Sequence, residues 1–275
     1  MAETDTKFDR RPEPFAERLS SRLWREVPAP DNPYLAQRCL CHGYDLLQLM
    51  ERRDFVDVLY LLIRGELPDA DQRGLLGQLM VGLCSPGPRH PATRAVMNAG
   101  VGKTESAHIL PIGLSILGGE HLGGAEVSAA MRFLRSRIGR DPLEVAAGLL
   151  SEQQRPAEGG WHPAPGFGSR YGARDPLSQG LAGRLAGLAG AGSCLGWGMR
   201  LAEALAPHRM GWLPTGVAGA ALADLGFHPR AGAGLFQIMS APGLLAHGLE
   251  LANKPITAMP FVDDDHYHIT DPLDR

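Results

Sequence analysis

The chain has 275 residues, of which 44% are hydrophobic and 21% charged, with a formal net charge of -3. That is enough apolar material for a full-sized core, in one large domain or two small ones, and it excludes a disordered chain. Basic and acidic residues are interspersed, so there is no sustained basic surface for phosphates or anionic lipid, and neither nucleic acid nor a membrane is an expected partner.

The opening MAETDTKFDRRPEPF carries charge where a signal peptide needs an apolar core, and no later apolar run could span a bilayer. A cytoplasmic location is expected. Cys39, Cys41, Cys84 and Cys194 are too few and too scattered for a disulfide framework, which agrees with a reducing compartment. Cys39, Cys41 and His42 have poor spacing for a metal clip and read as ordinary thiols.

The first thirty residues, rich in Pro and charge, predict an arm on the surface or on a partner subunit, with no compact unit before about Tyr34. Phe55, Val58, Leu59 and Leu62 recur at helical spacing after Asp54, and Gly65 and Pro68 stop that helix. Asp141-Pro142 and Asp175-Pro176 each open a helix, with Asp as cap and Pro in the first turn. Between them EQQRPAEGGWHPAPGFGSRYGA is loop, and Pro229 to Leu251 resumes a long helical pattern.

The glycine-rich run from Gly180 to Gly198 is read as close helix packing rather than a phosphate loop, because no strand precedes it. No alternating β-branched runs occur, so the predicted fold class is all-α.

The stretch HGYDLLQLMERRDFVDVLYLLIRGELP, from His42 to Pro68, resembles the start of the citrate synthase fold. GEHLGGAE (Gly119 to Glu126), PGFGSRY with its following DP (Pro165 to Pro176) and GLLAHGLE (Gly243 to Glu250) resemble further segments of that family, in the same order. Length and the ending PFVDDDHYHITDP are more similar to the citryl-CoA lyase module than to full-length citrate synthase. The resemblance implies a large helical domain, residues 1–139 plus 235–275, holding a smaller one, 140–234. It also implies a homodimer, or a heterodimer with a related chain, and an acyl-CoA substrate with no permanently bound cofactor.

Condensing an acyl-CoA with a 2-oxo acid needs a carboxylate base and donors for the enolate and the attacked carbonyl. Where the family places its enolate-stabilising histidine this chain has Leu122, and where the lyases use a histidine it has Pro86. Ser169 replaces the carbonyl-polarising histidine, and Ser240 replaces the substrate-carboxylate arginine. The catalytic aspartate would fall in HRMGWLPTGVAG, where the register offers Trp212 or Thr215 and no carboxylate.

The resemblance thus leaves His121 and Ser169 as catalytic candidates. It leaves Leu122, Gly123, Gly124, Gly166, Phe167, Gly168, Arg170, Arg174, Trp212 and Thr215 as candidates for substrate or CoA binding. His121 either points into the cleft or else faces solvent or packs, and Arg170 and Arg174 either hold CoA phosphates or are solvated surface charges. His108 is a weaker catalytic candidate than His121, and His247, which matches the family's alanine-histidine pair, reads as a structural packing residue. Asp263, Asp264, Asp265, His266 and His268 read as a surface or subunit-contact tail, with no metal expected. Two functions stay open: aldol-type carbon–carbon bond formation or cleavage on a non-standard acyl-CoA, and an inactive subunit that stabilises or regulates a related enzyme.

Overall fold

The computed structural model describes residues 15–152, 160–268 and 270. The first half of the expected N-terminal arm, the segment 153–159 of the long loop, and 269 and 271–275 of the tail lie outside the described residues. The contacts divide the chain into two units at Leu67/Pro68.

The first unit contains what composition concealed, a three-stranded antiparallel sheet of β1 (Trp24–Pro28), β2 (Ala36–Cys41) and β3 (Tyr44–Asp45). Trp24 pairs with Cys41 and Glu26 with Cys39, so ordered structure begins about ten residues earlier than Tyr34, the expected start. The strands are short and largely exposed, and they lack the β-branched alternation that would have announced them. The β2–β3 turn is His42-Gly43, both at positive φ (46° and 89°), as a two-residue turn matching strand twist requires.

Asp45 then caps α1 (Leu46–Arg52), accepting the N–H groups of Leu47 and Gln48. Asp54 caps α2 (Phe55–Arg64), which ends on Gly65 at φ 81°. Start and stop match the sequence reading. Cys41, Leu49 and Leu61 form this unit's buried cluster, with Val58, Leu62 and Leu67 against it.

The second unit is mostly helical: α3 (Ala70–Gly82), α4 (Pro91–Val101), α5 (Ser106–Leu117), α6 (Gly124–Arg137), α7 (Pro142–Glu152), α8 (Pro176–Ala186), α9 (Ser193–Leu205), α10 (Pro214–Asp224) and α11 (Pro229–Ala252). A two-stranded ribbon joins β4 (Phe167–Gly168) to β5 (Gly211–Trp212). Both Asp-Pro pairs start helices as expected: Asp141 accepts the Leu143 N–H and Asp175 the Leu177 N–H.

Helix α11 packs on α4, α5 and α6, and α10 packs on α6 and α9. Every residue of α10 from Thr215 to Ala223 is buried, which fits its composition of small apolar residues with no charged face. The glycine-rich run divides in two. A Cβ on Gly198 would overlap the Trp212 ring, and one on Gly192 would press on Asp224, which accepts N–H groups of Gly192, Cys194 and Leu195 and so caps α9. Gly180, Gly183 and Gly196 face open space, so packing explains only part of that run.

Candidate functional site

The loop before α8 is built by two turns whose residues the sequence supplies. Ala164 accepts the Phe167 N–H across Pro165-Gly166, with Gly166 at φ 79°, the order that a type II turn favours. Arg170 and Ala173 exchange both backbone hydrogen bonds across Tyr171 and Gly172, whose φ angles are 51° and 72°. That tight turn fixes Arg170 at its base, with the guanidinium 5.6 Å from the centroid of the Tyr171 ring.

Three cavities share walls here. One of about 490 Å³ is lined by residues including Arg89, His90, His121, Leu122, His162, Ser169 and Arg170. A recess of about 60 Å³ is walled by Pro86, His90, Leu122, Arg170, Leu177, Pro214, Phe236 and Ser240 among others. A third, of about 540 Å³, has Pro86, Arg89, Arg170, Tyr171, Arg174 and Asp175 in its wall. Arg170 borders all three.

Pro86, Leu122, Arg170 and Ser240, separated by up to 154 positions in sequence, therefore meet in one recess. Its chemistry is subdued. The Ser240 hydroxyl donates to the Leu83 carbonyl at 3.2 Å, and the buried Ser169 hydroxyl accepts the Trp161 N–H at 3.3 Å. Arg170 Nη1 lies 3.4 Å from Asp175 Oδ2, while its Nε is buried without a hydrogen-bond partner among the described residues. Arg174 is held by Gln179 and Glu203. Arg89 is exposed and has no ion-pair partner among the described residues.

Behind the cavity of about 490 Å³ lies a polar cluster that sequence reasoning missed. Glu126, 7% exposed, takes the Leu122 N–H on Oε2 at 3.0 Å. Its Oε1 takes the Gly166 N–H at 3.2 Å and His162 Nδ1 at 2.9 Å. Burial alone would raise the Glu126 pKa, but the His162 hydrogen bond and charge, with the Gly166 N–H, outweigh it and hold the carboxyl below its ordinary 4.5. The His121 ring stacks on His162, with centroids 5.2 Å apart and planes 15° from parallel.

His90 is a third imidazole in the wall, and both its nitrogens are occupied. Nδ1 accepts the Ala92 N–H at 3.1 Å, capping α4, so Nε2 carries the hydrogen and donates to the Leu122 carbonyl at 3.2 Å. Burial, followed by the nearby charges of Arg170 and His121, outweighs the Leu122 carbonyl and lowers its pKa from 6.5.

The structure thus brings together His121, Leu122, Ser169, Arg170 and Arg174 around the cavities. The glycines shape the walls: Gly123 caps α6 through its backbone, Gly124 abuts Ala233, and a Cβ on Gly168 would overlap the Trp161 carbonyl. Phe167 and Trp212 do not line the cavities; both are 0% exposed, and their rings pack 4.5 Å apart in the core. Thr215 is also fully buried, in the first turn of α10. His108 is exposed, and His247 sits 4.0 Å from Glu250 on the α11 surface.

His162 stands in the quoted loop, at WHP just before PGFGSRY, and Glu126 at the end of GEHLGGAE. Glu126 looks there like an ordinary first-turn acid, and only the fold brings it within 2.9 Å of an imidazole 36 residues away. Among the described residues no group of three or more His, Cys, Asp or Glu is arranged to hold a metal, and no helix is long and apolar enough to cross a membrane.

No sequence-family model and no curated protein matches the chain. Solved structures do. Citryl-CoA lyase from Hydrogenobacter thermophilus superposes with a TM-score of 0.73 at 22% identity, covering 92% of this chain and 95% of that one. ATP citrate lyase from Methanothrix soehngenii, solved with citrate and coenzyme A, gives 0.67 at 16% identity over 95% of this chain, which spans 44% of that longer protein. Citrate synthase from Thermotoga maritima gives 0.52 at 14% identity, over 94% and 96%. This chain has the mostly helical fold shared by the citrate synthase and citryl-CoA lyase superfamily.

Proposed function

We propose that the chain binds an acyl-CoA in the cleft around Arg170 and makes or breaks a carbon–carbon bond beside the thioester by aldol-type chemistry, on a substrate other than citrate. The carrying observation is the convergence of three cavities on Arg170, with Arg89 and Arg174 beside the outermost one. Guanidinium groups on one rim suit the phosphates of CoA, and the small inner recess, walled largely by Leu, Pro and Phe, suits a less charged acyl end. In this reading residues 140–234 form a smaller domain that closes on 1–139 and 235–275. The working unit is a cytoplasmic dimer.

A second reading is an inactive subunit that stabilises or regulates a related enzyme. It is favoured by Pro86 and Leu122, which offer no side-chain donor, and by the Ser240 and Ser169 hydroxyls, which are already engaged by backbone groups. Calorimetric titration with acetyl-CoA separates the two: saturable binding by the chain alone is expected, and no heat, with or without a partner subunit, rejects the enzyme reading.

A further inference from the structure

The cleft holds three imidazoles, and only one is arranged to accept a proton from a ligand. His90 has both nitrogens occupied by backbone groups. His121 is exposed and has no carboxylate to orient it among the described residues. His162 differs on each count. Its ring is clamped between the His121 stack and the buried Glu126, and Glu126, held ionised, can only accept. Nδ1 of the neutral imidazole therefore carries the hydrogen, and the lone pair lies on Nε2.

Nε2 has no hydrogen-bond partner among the described residues, is not buried, and sits beside Gly160, which lines the same cavity. A Cβ on Gly160 would lie 3.6 Å from it. A base whose second nitrogen is oriented by a buried carboxylate is the arrangement that general-base chemistry requires.

We propose that His162 is the proton acceptor of this cleft, taking the proton from the carbon beside the thioester of a bound acyl-CoA, with Glu126 as its positioning residue. The assignment rests on the acyl-CoA reading above. The C–H bond breaks, its electron pair passes into the thioester carbonyl to give an enolate, and the proton moves to Nε2. The resulting imidazolium is paired with the Glu126 carboxylate. Arg170, in the same cavity wall, is the cation available to the enolate oxygen. Return of a solvent-exchanged proton restores the thioester, so the half-reaction needs no co-substrate and appears as exchange of hydrogen at the α-carbon.

The test is deuterium wash-in to acetyl-CoA and butyryl-CoA in D₂O with the full chain, followed by mass spectrometry, alongside calorimetric binding of the same thioesters. Wild type is expected to catalyse wash-in that rises with pH through one ionisation. His162→Gln should slow it by about 100-fold or more while thioester binding persists, and Glu126→Gln should move the pH profile to lower pH. The exposed His108→Gln, away from the cavities, should leave it unchanged. Nitrogen-15 spectra of wild type should show His162 with hydrogen on Nδ1, a readout independent of variant folding.

Binding without wash-in, wash-in indifferent to His162→Gln, or hydrogen on Nε2 in the neutral ring would each overturn the assignment while leaving the acyl-CoA reading intact. Absence of thioester binding would overturn that reading and the base assignment with it.

Discussion

Gly166 and Gly216 touch backbone to backbone: a Cβ on either would overlap the other's main chain, and Gly166 also holds φ 79°. This contact fixes the loop carrying Ser169 and Arg170 against the first turn of α10, where Leu213 donates its N–H to the Gly166 carbonyl at 2.9 Å. Neither backbone can yield as a flexible side chain would. Gly216→Ala is expected to cost about 1–3 kcal/mol by overpacking, and Gly166→Ala more, since it adds left-handed strain of about 1 kcal/mol. Gly234→Ala, in α11 with nothing within 4 Å of the new methyl, should instead stabilise by about 0.5–1 kcal/mol. Denaturant unfolding of the three variants checks the order.

Trp212 gives a prediction that separates core from site. It is buried against Phe167 and Gly198, with an indole N–H that has no hydrogen-bond partner among the described residues. Trp212→Ala should cost about 3–5 kcal/mol, and Trp212→Phe less than about 1.5 kcal/mol, because Phe keeps the ring contact and removes the unsatisfied donor. Acetyl-CoA affinity of Trp212→Phe should equal wild type; a tenfold loss would return Trp212 to the binding residues.

Arg170 borders all three cavities, and its Nε lacks a partner among the described residues. A charge-assisted hydrogen bond is worth about 1.5–3 kcal/mol, so Arg170→Gln should weaken acetyl-CoA binding about 10- to 100-fold. Arg174→Gln should do less, since Gln179 and Glu203 already hold that guanidinium. Both effects should shrink at high salt.

His90 predicts a pH dependence of stability. Its folded pKa is depressed below 6.5, so the folded state prefers the neutral ring and the unfolded chain binds the proton more readily. The stability it contributes is present above pH 6.5 and is lost as pH falls through the depressed value. Glu126, also depressed, adds a separate loss as pH falls below 4.5. His90→Asn keeps a helix cap without an imidazole, so thermal unfolding between pH 6.5 and 5 should become flatter, with the step below 4.5 retained.

The sequence by itself determined the local and periodic features. The caps at Asp54, Asp141 and Asp175, the stop at Gly65 and the helical pattern of α11 are near-neighbour effects, in which residues a turn apart compete for the same backbone groups. The order of the glycine-bearing motifs was enough to carry the fold, because tight turns and backbone crossings such as Gly166–Gly216 tolerate few other residues.

The tertiary structure alone decided which side chains meet. Short, largely exposed strands at Trp24 to Asp45 gain their stability from pairing with one another, so no single strand announces the sheet. Trp212 and Arg170 both stood beside motif positions, yet one is core and the other borders every cavity of the cleft. Glu126 and His162 are separated by 36 residues and meet only because α6 and the loop before β4 pack together. A buried carboxylate finds its partners through space, and the spacing of residues along the chain carries no record of that encounter.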